Sequence, residues 1–371
     1  MARPQLTGAR TGAPDATPST EPHATPSATA HAATRAVTAS AAAETLLEDY
    51  RAATKGCALL DRSERGKLAL TGEGMLEFLN GQVTNELTSL RVGEGRYAAF
   101  LTHKGKMLGD LRILAVGDSA EGPPTELLLD SERVALQALF DMIRRFKVGF
   151  EVQLHKRTLE RGLLSLIGPS SETVAAAAVA GLERLGDAEH DSAPVKLGAL
   201  AALAVRTDVG IDFLCDSGET AALAGALSAR GARPIAEQAA ECVRVEHGRP
   251  RYGIDLDDSV IPQEAGLNER AVSFTKGCYV GQETVARLYY KGKPNRQLRG
   301  LRLSRPATRG EELVLGERVV GRVGSAVVSP ALGPLALALV RREAPPGSVL
   351  GVGEQRASAE VVELPFANDR R

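Results

Sequence analysis

The sequence predicts an α+β protein with a separate all-β part at its C-terminal end. Three observations carry that prediction. Between residues 66 and 146, short apolar runs alternate with one amphipathic helical pattern, the mark of an α+β unit rather than of repeated parallel crossovers. From 149 to 245, an alanine-rich stretch mixes strand-length runs with capped helical segments. Beyond 298, apolar runs are strand-length and punctuated by Gly and Pro.

Residues 1–44, rich in Ala, Thr, Pro and Ser and without hydrophobic periodicity, read as an unstructured leader. It lacks the apolar core of a signal peptide. Arg3, Arg10, Arg35 and a shortage of acids leave an organelle transit peptide as the alternative, although prolines interrupt any amphipathic helix. Residues 66–70 then read as a strand, and Met75, Phe78 and Leu79 recur at helical spacing. Residues 97–102 and 107–116 form a hairpin through His103-Lys104-Gly105, and 127–129 is a further strand. Ser131 can cap a helix whose inner face is Val134, Ala138, Leu139, Met142, Ile143 and Phe146. The second unit has strands at 150–154, 163–167 and 200–205, a helix after Pro169-Ser170-Ser171, and helices over 220–229 and 235–245. From 249 to 290, Gly, Pro and acids break every periodicity, as in a long functional loop. Strands at 298–303, 312–314, 318–329, 335–341 and 358–364 suggest a small barrel. The domain expectation is a leader at 1–44, α+β subdomains at 45–148 and 149–296, a barrel at 297–366, and a tail at 367–371.

With 45 basic and 46 acidic residues the formal charge is -1, so no global field draws the chain to nucleic acid or membrane. No apolar run approaches the roughly 18 residues of a bilayer span, and the expectation is a chain with no membrane association. Cys57, Cys215, Cys242 and Cys278 are scattered, with no ligand spacing that predicts a resident metal. That usage suits a reducing compartment, read as cytoplasm, or an organelle matrix if the leader is a transit peptide. The first three cysteines sit in apolar stretches and read as packing.

The densest polar segment is Lys276-Gly277-Cys278-Tyr279-Val280-Gly281-Gln282-Glu283. Beside Lys276 and near Arg287, Cys278 is a candidate nucleophile, redox group or transient ligand, and equally a packed thiol. Gln282 and Glu283 supply an amide and a carboxylate suited to a pterin-like ring, and equally the first turn of a helix. Between 284 and 310 there are eight basic residues and no acid, a patch for an anionic tail, a phosphate backbone or an acidic protein, or else a solvated strand face. Direct RNA binding stays open on that basis.

The segment from 276 to 283 resembles the K-G-C-[FY]-x-G-Q-E signature of YgfZ-type proteins. Support comes from Phe78-Leu79-Asn80-Gly81-Gln82-Val83-Thr84-Asn85, Lys104-Gly105-Lys106-Met107 and Arg249-Pro250-Arg251-Tyr252-Gly253 ahead of Pro262, so that the resemblance covers residues 45–366. It implies three parts around a central folate-binding opening, as in the aminomethyltransferase of glycine cleavage. It implies tetrahydrofolate or a derivative as cofactor, and support of iron–sulfur cluster assembly or repair, with assembly proteins or cluster enzymes, some of them tRNA-modifying, as partners. Asp212 would hold the ring. Cys278 would face the opening, with Lys276, Gly277, Gln282, Glu283 and Arg287 placing it or binding the anionic tail. The resemblance also departs from the transferases. Their acidic pair is reduced to Asp110 in Leu108-Gly109-Asp110-Leu111, and Asp212 stands where they carry a glutamate. The alternative function is a folate-dependent aminomethyl transfer with Asp110 as general base or charge stabiliser.

Overall fold

The five-stranded antiparallel sheet of the protein runs in the order Gly95–Leu101, Met107–Val116, Glu126–Ser131, Gly66–Thr71 and Gln153–Lys156. This computed structural model describes residues 28–119, 121–354 and 357–366, with side chains from residue 41 onward. A six-stranded sheet runs Arg233–Pro234, Ala58–Asp61, Arg161–Ile167, Gly210–Asp216, Leu200–Thr207 and Ser192–Leu197, antiparallel except for its first pair. The third part is a closed barrel of six strands: Arg296–Leu303, Gly333–Arg341, Arg318–Ser329, Glu312–Leu315, Val349–Val352 and Ala357–Val362. Residues Thr45–Arg371 form one unit that carries all three. The predicted α+β class with a C-terminal barrel is the observed one.

Both open sheets are covered on both faces, which is why strands such as Met107–Val116 read as near-continuous apolar runs rather than alternating ones. On the outer face of the first sheet, Phe78, Leu79, Leu139 and Ile143 from its helices pack on Leu68, Leu70, Leu111 and Ile113. Helices Ser171–Ala178 and Thr220–Ala229 cover the second sheet through Val174, Ala175, Leu223 and Leu227. The inner faces meet through Leu114 and Leu128 on one side and Leu163, Leu203, Val205 and Leu214 on the other. Each fully buried leucine of this seam contributes about 1.5–3 kcal/mol over its exposed state. Helix Glu237–Glu246 reaches the barrel, where Val245 packs with Leu298, Leu335, Leu337 and Phe366.

Several expectations need correction. Helix Ala28–Lys55 begins inside the expected leader, because residues 27–55 contain no proline and abundant alanine, the best helix former. Residues 1–27 and the tail at 367–371 lie outside the described residues. The division at 148 is crossed in both directions: Ala58–Asp61 belongs to the second sheet, and Gln153–Lys156, predicted at 150–154, pairs with the first. Val134 and Phe146, assigned to an inner helix face, are 65% and 42% exposed, because a 3-10 turn over Arg133–Ala135 shifts the register before helix Leu136–Phe146 starts. The irregular reading of 249–290 left out the body of helix Gln282–Lys291, whose first turn was the alternative weighed for Gln282 and Glu283 and is where they lie. Among the described residues, no helix is long and apolar enough to cross a membrane.

Candidate functional site

Alternation along the strands divides the inner faces of the two sheets into an apolar end and a polar end. In Met107–Val116, residues 110, 112 and 114 share one face; in the facing strand Gly210–Asp216, residues 212 and 214 do. Leu114 and Leu214 lie in the seam, while Asp110, Arg112 and Asp212 line a cavity of about 220 Å³ beside it. Asp130, opposite Arg112 across the ladder, and Ser165, opposite Asp212, line the same cavity. Its remaining walls come from Tyr97, Arg65, Glu189-His190, Arg270 and the segment from 240 to 252.

Arg112 spans the two sheets. Its Nη2 donates to Asp130 Oδ2 at 2.8 Å and its Nη1 to Asp212 Oδ2 at 2.7 Å, all three side chains being buried. Arg65 Nε donates to the other oxygen of Asp130 at 2.8 Å, and Arg65 also pairs with Glu132. Burial alone would push the Asp130 carboxyl up, but Arg65 and Arg112 outweigh it and hold the group below the usual carboxylate range. Arg112 Nε and the Ser165 hydroxyl, both buried, have no hydrogen-bond partner among the described residues.

Asp110 is the second centre. Tyr97 lies opposite Arg112 in the ladder, so its ring shares the inner face, and its hydroxyl donates to Asp110 Oδ2 at 2.6 Å. Burial raises the Asp110 carboxyl to about 6, against the Tyr97 hydrogen bond that favours its charged form. The same burial, with the negative charge of Asp110, raises the Tyr97 phenol well above its ordinary value. A carboxyl that exchanges its proton near neutrality in a cavity can act as a general acid or base.

The wall at 189–190 is the turn before strand Ser192–Leu197 of the second sheet, and it reaches Gly95 of the first. Gly95 admits it: a Cβ there would lie 2.4 Å from the His190 carbonyl oxygen. His190 has φ of +79°, rare for a residue with a side chain, and so marks local strain at the cavity. Burial, then the charges of Arg112 and Arg270, depress its imidazole to about 3, so the ring is neutral. Arg270 pairs with Glu189 and lies 5.0 Å from the Tyr97 ring centre.

Of the candidate site residues, the structure brings Asp110 and Asp212 to this cavity, and from the motifs that carry the resemblance Arg249, Pro250, Arg251 and Tyr252 line it too. Lys276 is buried elsewhere, its ammonium donating to the carbonyls of Asn80, Val83 and Asn85 at 2.6, 2.9 and 2.6 Å. Burial lowers its titration to about 8. Cys278, expected to face the opening, is exposed and is not among the residues that line this cavity. Gly277 has open space around its α-carbon. Gln282 and Glu283 start helix Gln282–Lys291, with Glu283 and Arg287 exposed, and none of the three lines the cavity. Cys57, Cys215 and Cys242 are buried, their thiols raised chiefly by burial, to about 12 for Cys242. In the basic stretch, Arg296 and Arg299 pair with Glu264 and Glu363, so acids from distant sequence offset part of its charge.

Arg112, Asp130, Tyr97, Ser165 and His190 were missed. The available signal was the presence of a charge within an apolar strand, Leu111-Arg112-Ile113 and Leu129-Asp130, where an ion needs a partner. Nothing local distinguishes Ser165 or His190.

Residues 23–276 match the GCVT N-terminal domain, and 296–368 match the glycine cleavage T-protein C-terminal barrel domain. The chain belongs to the glycine cleavage T-protein family. Among similar members, an aminomethyltransferase of Streptomyces avermitilis is 30% identical over 344 residues, 86% of this chain and 88% of that protein. A putative chloroplastic transferase of Arabidopsis thaliana is 27% identical over 325 residues, 85% of this chain and 72% of that one. The crystal structure of glycine cleavage system aminomethyltransferase T from Bartonella henselae superposes with a TM-score of 0.77 at 24% identity. It covers 86% of this chain and 89% of its own, and shows that the two share a fold.

Proposed function

We propose that this protein binds tetrahydrofolate in the cavity between its two sheets and serves as a folate-linked accessory factor for the assembly or repair of iron–sulfur clusters. The observation that carries the binding is a cavity of about 220 Å³ between the two sheets whose walls bring together Asp110, Asp212, Arg112 and Arg270. A pterin ring is flat and carries donors and acceptors around its edge, which suits walls that mix carboxylates and guanidinium groups. The residues present therefore fit the ligand. Asp212 differs from a free ring-holding carboxylate because one of its oxygens already accepts from Arg112.

The accessory role rests on the YgfZ-like loop, whose thiol is presented to solvent rather than to the cavity. An outward Cys278 suits exchange with a partner protein, and such partners are cluster-assembly proteins or client enzymes, including those that modify tRNA. Because the loop is anchored by Lys276, Cys278→Ala leaves the fold intact. In cells carrying this variant, the activity of cluster-dependent enzymes is expected to fall, and normal activity would remove the thiol from the mechanism.

A second reading, aminomethyl transfer to tetrahydrofolate, is favoured by Asp110. Its raised carboxyl in the cavity is the group a proton-transfer step requires, and the relatives named above include aminomethyltransferases. Tetrahydrofolate titrated into the purified protein and into Asp212→Ala tests the shared binding step. Formation of methylene-tetrahydrofolate from an aminomethyl donor by the wild type, and its loss in Asp110→Asn, would select the transferase reading over the accessory one.

A further inference from the structure

The stretch from 284 to 310 carries eight basic residues and no acid, and the structure sorts them into two groups. Those of the barrel are occupied. Arg296 and Arg299 pair with Glu264 and Glu363, Arg305 and Arg309 donate to the carbonyls of Pro306 and Gly253, and Arg302 lies 6.0 Å from the Phe366 ring centre. The solvated strand face weighed from the sequence describes this group. Arg287, Lys291 and Lys293 belong to helix Gln282–Lys291 and the turn after it, and all three are exposed. They make no hydrogen bond or ion pair among the described residues. Glu283, the one acid of the helix, stands a turn before Arg287 and does not pair with it.

The same helix presents aromatic rings. Phe274 stacks on Tyr289 with ring centres 3.7 Å apart and 16° between the planes, and Tyr290 meets Tyr289 in a T-shaped contact at 5.0 Å. Tyr289 is 48% exposed and Tyr290 67%, which makes Tyr290 the most exposed phenylalanine or tyrosine ring among the described residues. The stack holds the pair in place, so little ordering is left to be done when a partner arrives. Arg287, Tyr290 and Lys291 stand at helical spacing i, i+3 and i+4, so the exposed ring has a cation on each side along one face of the helix. Exposed apolar rings mark interaction surfaces, and here the cations select the partner. A nucleotide brings a flat π-face and a negative charge in one unit: its base stacks on a tyrosine and its phosphate meets an ammonium or guanidinium group. In a duplex the base faces are already covered by their neighbours, so the strand that uses the rings is single. With a formal charge of -1 the chain has no general field that collects polynucleotides, and the attraction is confined to this face.

We propose that helix Gln282–Lys291 is a docking surface for a single-stranded polynucleotide, with Tyr289 and Tyr290 stacking on unpaired bases and Arg287, Lys291 and Lys293 contacting phosphates. This goes beyond the folate and accessory readings and depends on neither the cavity nor the Cys278 thiol. Stacking tolerates any base, because every base has a π-face, so the surface is expected to bind without marked sequence preference.

The experiment is a fluorescence-anisotropy titration of a labelled oligouridylate of about twelve nucleotides with the full chain, repeated over a range of salt concentrations. The wild type is expected to bind it with a log–log salt slope of about -2, from three phosphate contacts at about 0.7 each. Tyr290→Ala, at an exposed position that leaves the fold intact, should weaken binding roughly fivefold or more without changing the slope, and Tyr290→Phe, which keeps the ring, should bind as the wild type does. Lys291→Gln combined with Lys293→Gln should bring the slope to about -0.7. Arg230→Gln, exposed beyond the helix that covers the second sheet, is the control and should leave the slope as it was. Absence of binding by the wild type at low salt overturns the proposal; if Tyr290→Ala nevertheless lowers the activity of cluster-dependent enzymes in cells, the face serves an acidic protein instead. Binding that is unchanged in Tyr290→Ala is charge attraction without stacking and overturns it as well. Tetrahydrofolate titrated into the same variants is expected to bind as it does to the wild type, which separates failure here from failure of the folate reading.

Discussion

Asp110 is a carboxyl whose environment works against its charge, and that has a consequence for stability as well as for chemistry. Its proton is held to about 6 in the folded chain, against 3.8 for the ordinary group, with burial as the leading cause. Between those values the folded state binds more protons than the unfolded state, so stability falls as pH rises from about 4 to about 6 and stays reduced above that. The difference corresponds to about 3 kcal/mol at neutral pH. Asp110→Asn keeps an acceptor for the Tyr97 hydroxyl and removes the ionisation. Urea unfolding is expected to show the variant more stable than the wild type at pH 7.5 and equal to it at pH 4; a gain that does not depend on pH would mean that the charge is not its source. Asp110 was legible in the sequence through the family resemblance. Tyr97, which gives it a partner, was not, because the pair forms across a ladder whose register no local pattern specifies.

At the scale of the element, the loop from 276 to 283 is a built structure whose parts are mostly architectural. Lys276 ties it to the turn after helix Met75–Asn80, and the φ of Gly281, +84°, lets the chain enter helix Gln282–Lys291. A Cβ on Gly281 would lie 2.6 Å from the Thr102 carbonyl oxygen, and one on Gly105 would lie 2.8 Å from Thr284, so this loop and the hairpin turn at 102–106 are packed backbone to backbone. Gly281→Ala adds both strain and a clash, and is expected to destabilise by about 1–3 kcal/mol, read as a lower urea midpoint. Gly277→Ala, in open space and without a positive φ, is the control and should be near neutral. Here the sequence located a real structural unit and left its role open. Thiol, ammonium, amide and carboxylate within eight residues suggested a site, but adjacency in a loop does not tell which side chains turn inward. Lys276 turned in and Cys278 out. The start of the helix after Gly281 was one of two readings of Gln282 and Glu283, but its length was hidden: its inner face holds one fully buried residue, Val285, too little periodicity to recognise.

For the whole molecule, the decisive contact is the one that joins the two sheets at their polar end. The apolar end of the interface closes on six aliphatic side chains, but the polar end depends on Asp130–Arg112–Asp212, with one acid from each sheet and a single cation between them. A buried ion network of this kind adds little over a well-packed apolar equivalent, yet breaking it from one side leaves charges without compensation. Arg112→Met removes the cation and keeps much of its volume. Asp130 retains Arg65, whereas Asp212 loses the only hydrogen-bond partner of its side chain among the described residues. The expected cost is about 3–5 kcal/mol at neutral pH. It should shrink as pH falls toward 3, because protonation of the stranded Asp212 carboxyl relieves the folded variant, whereas in the wild type the stabilisation by Asp130, held below its ordinary range, is lost on the same descent. Urea unfolding of the wild type and Arg112→Met from pH 3 to pH 8 measures the difference directly. Adding Asp212→Asn to Arg112→Met should recover part of the loss by removing the stranded charge. If the double variant is no more stable than the single one, the sheets are held by the leucine seam alone and the arginine serves only the cavity.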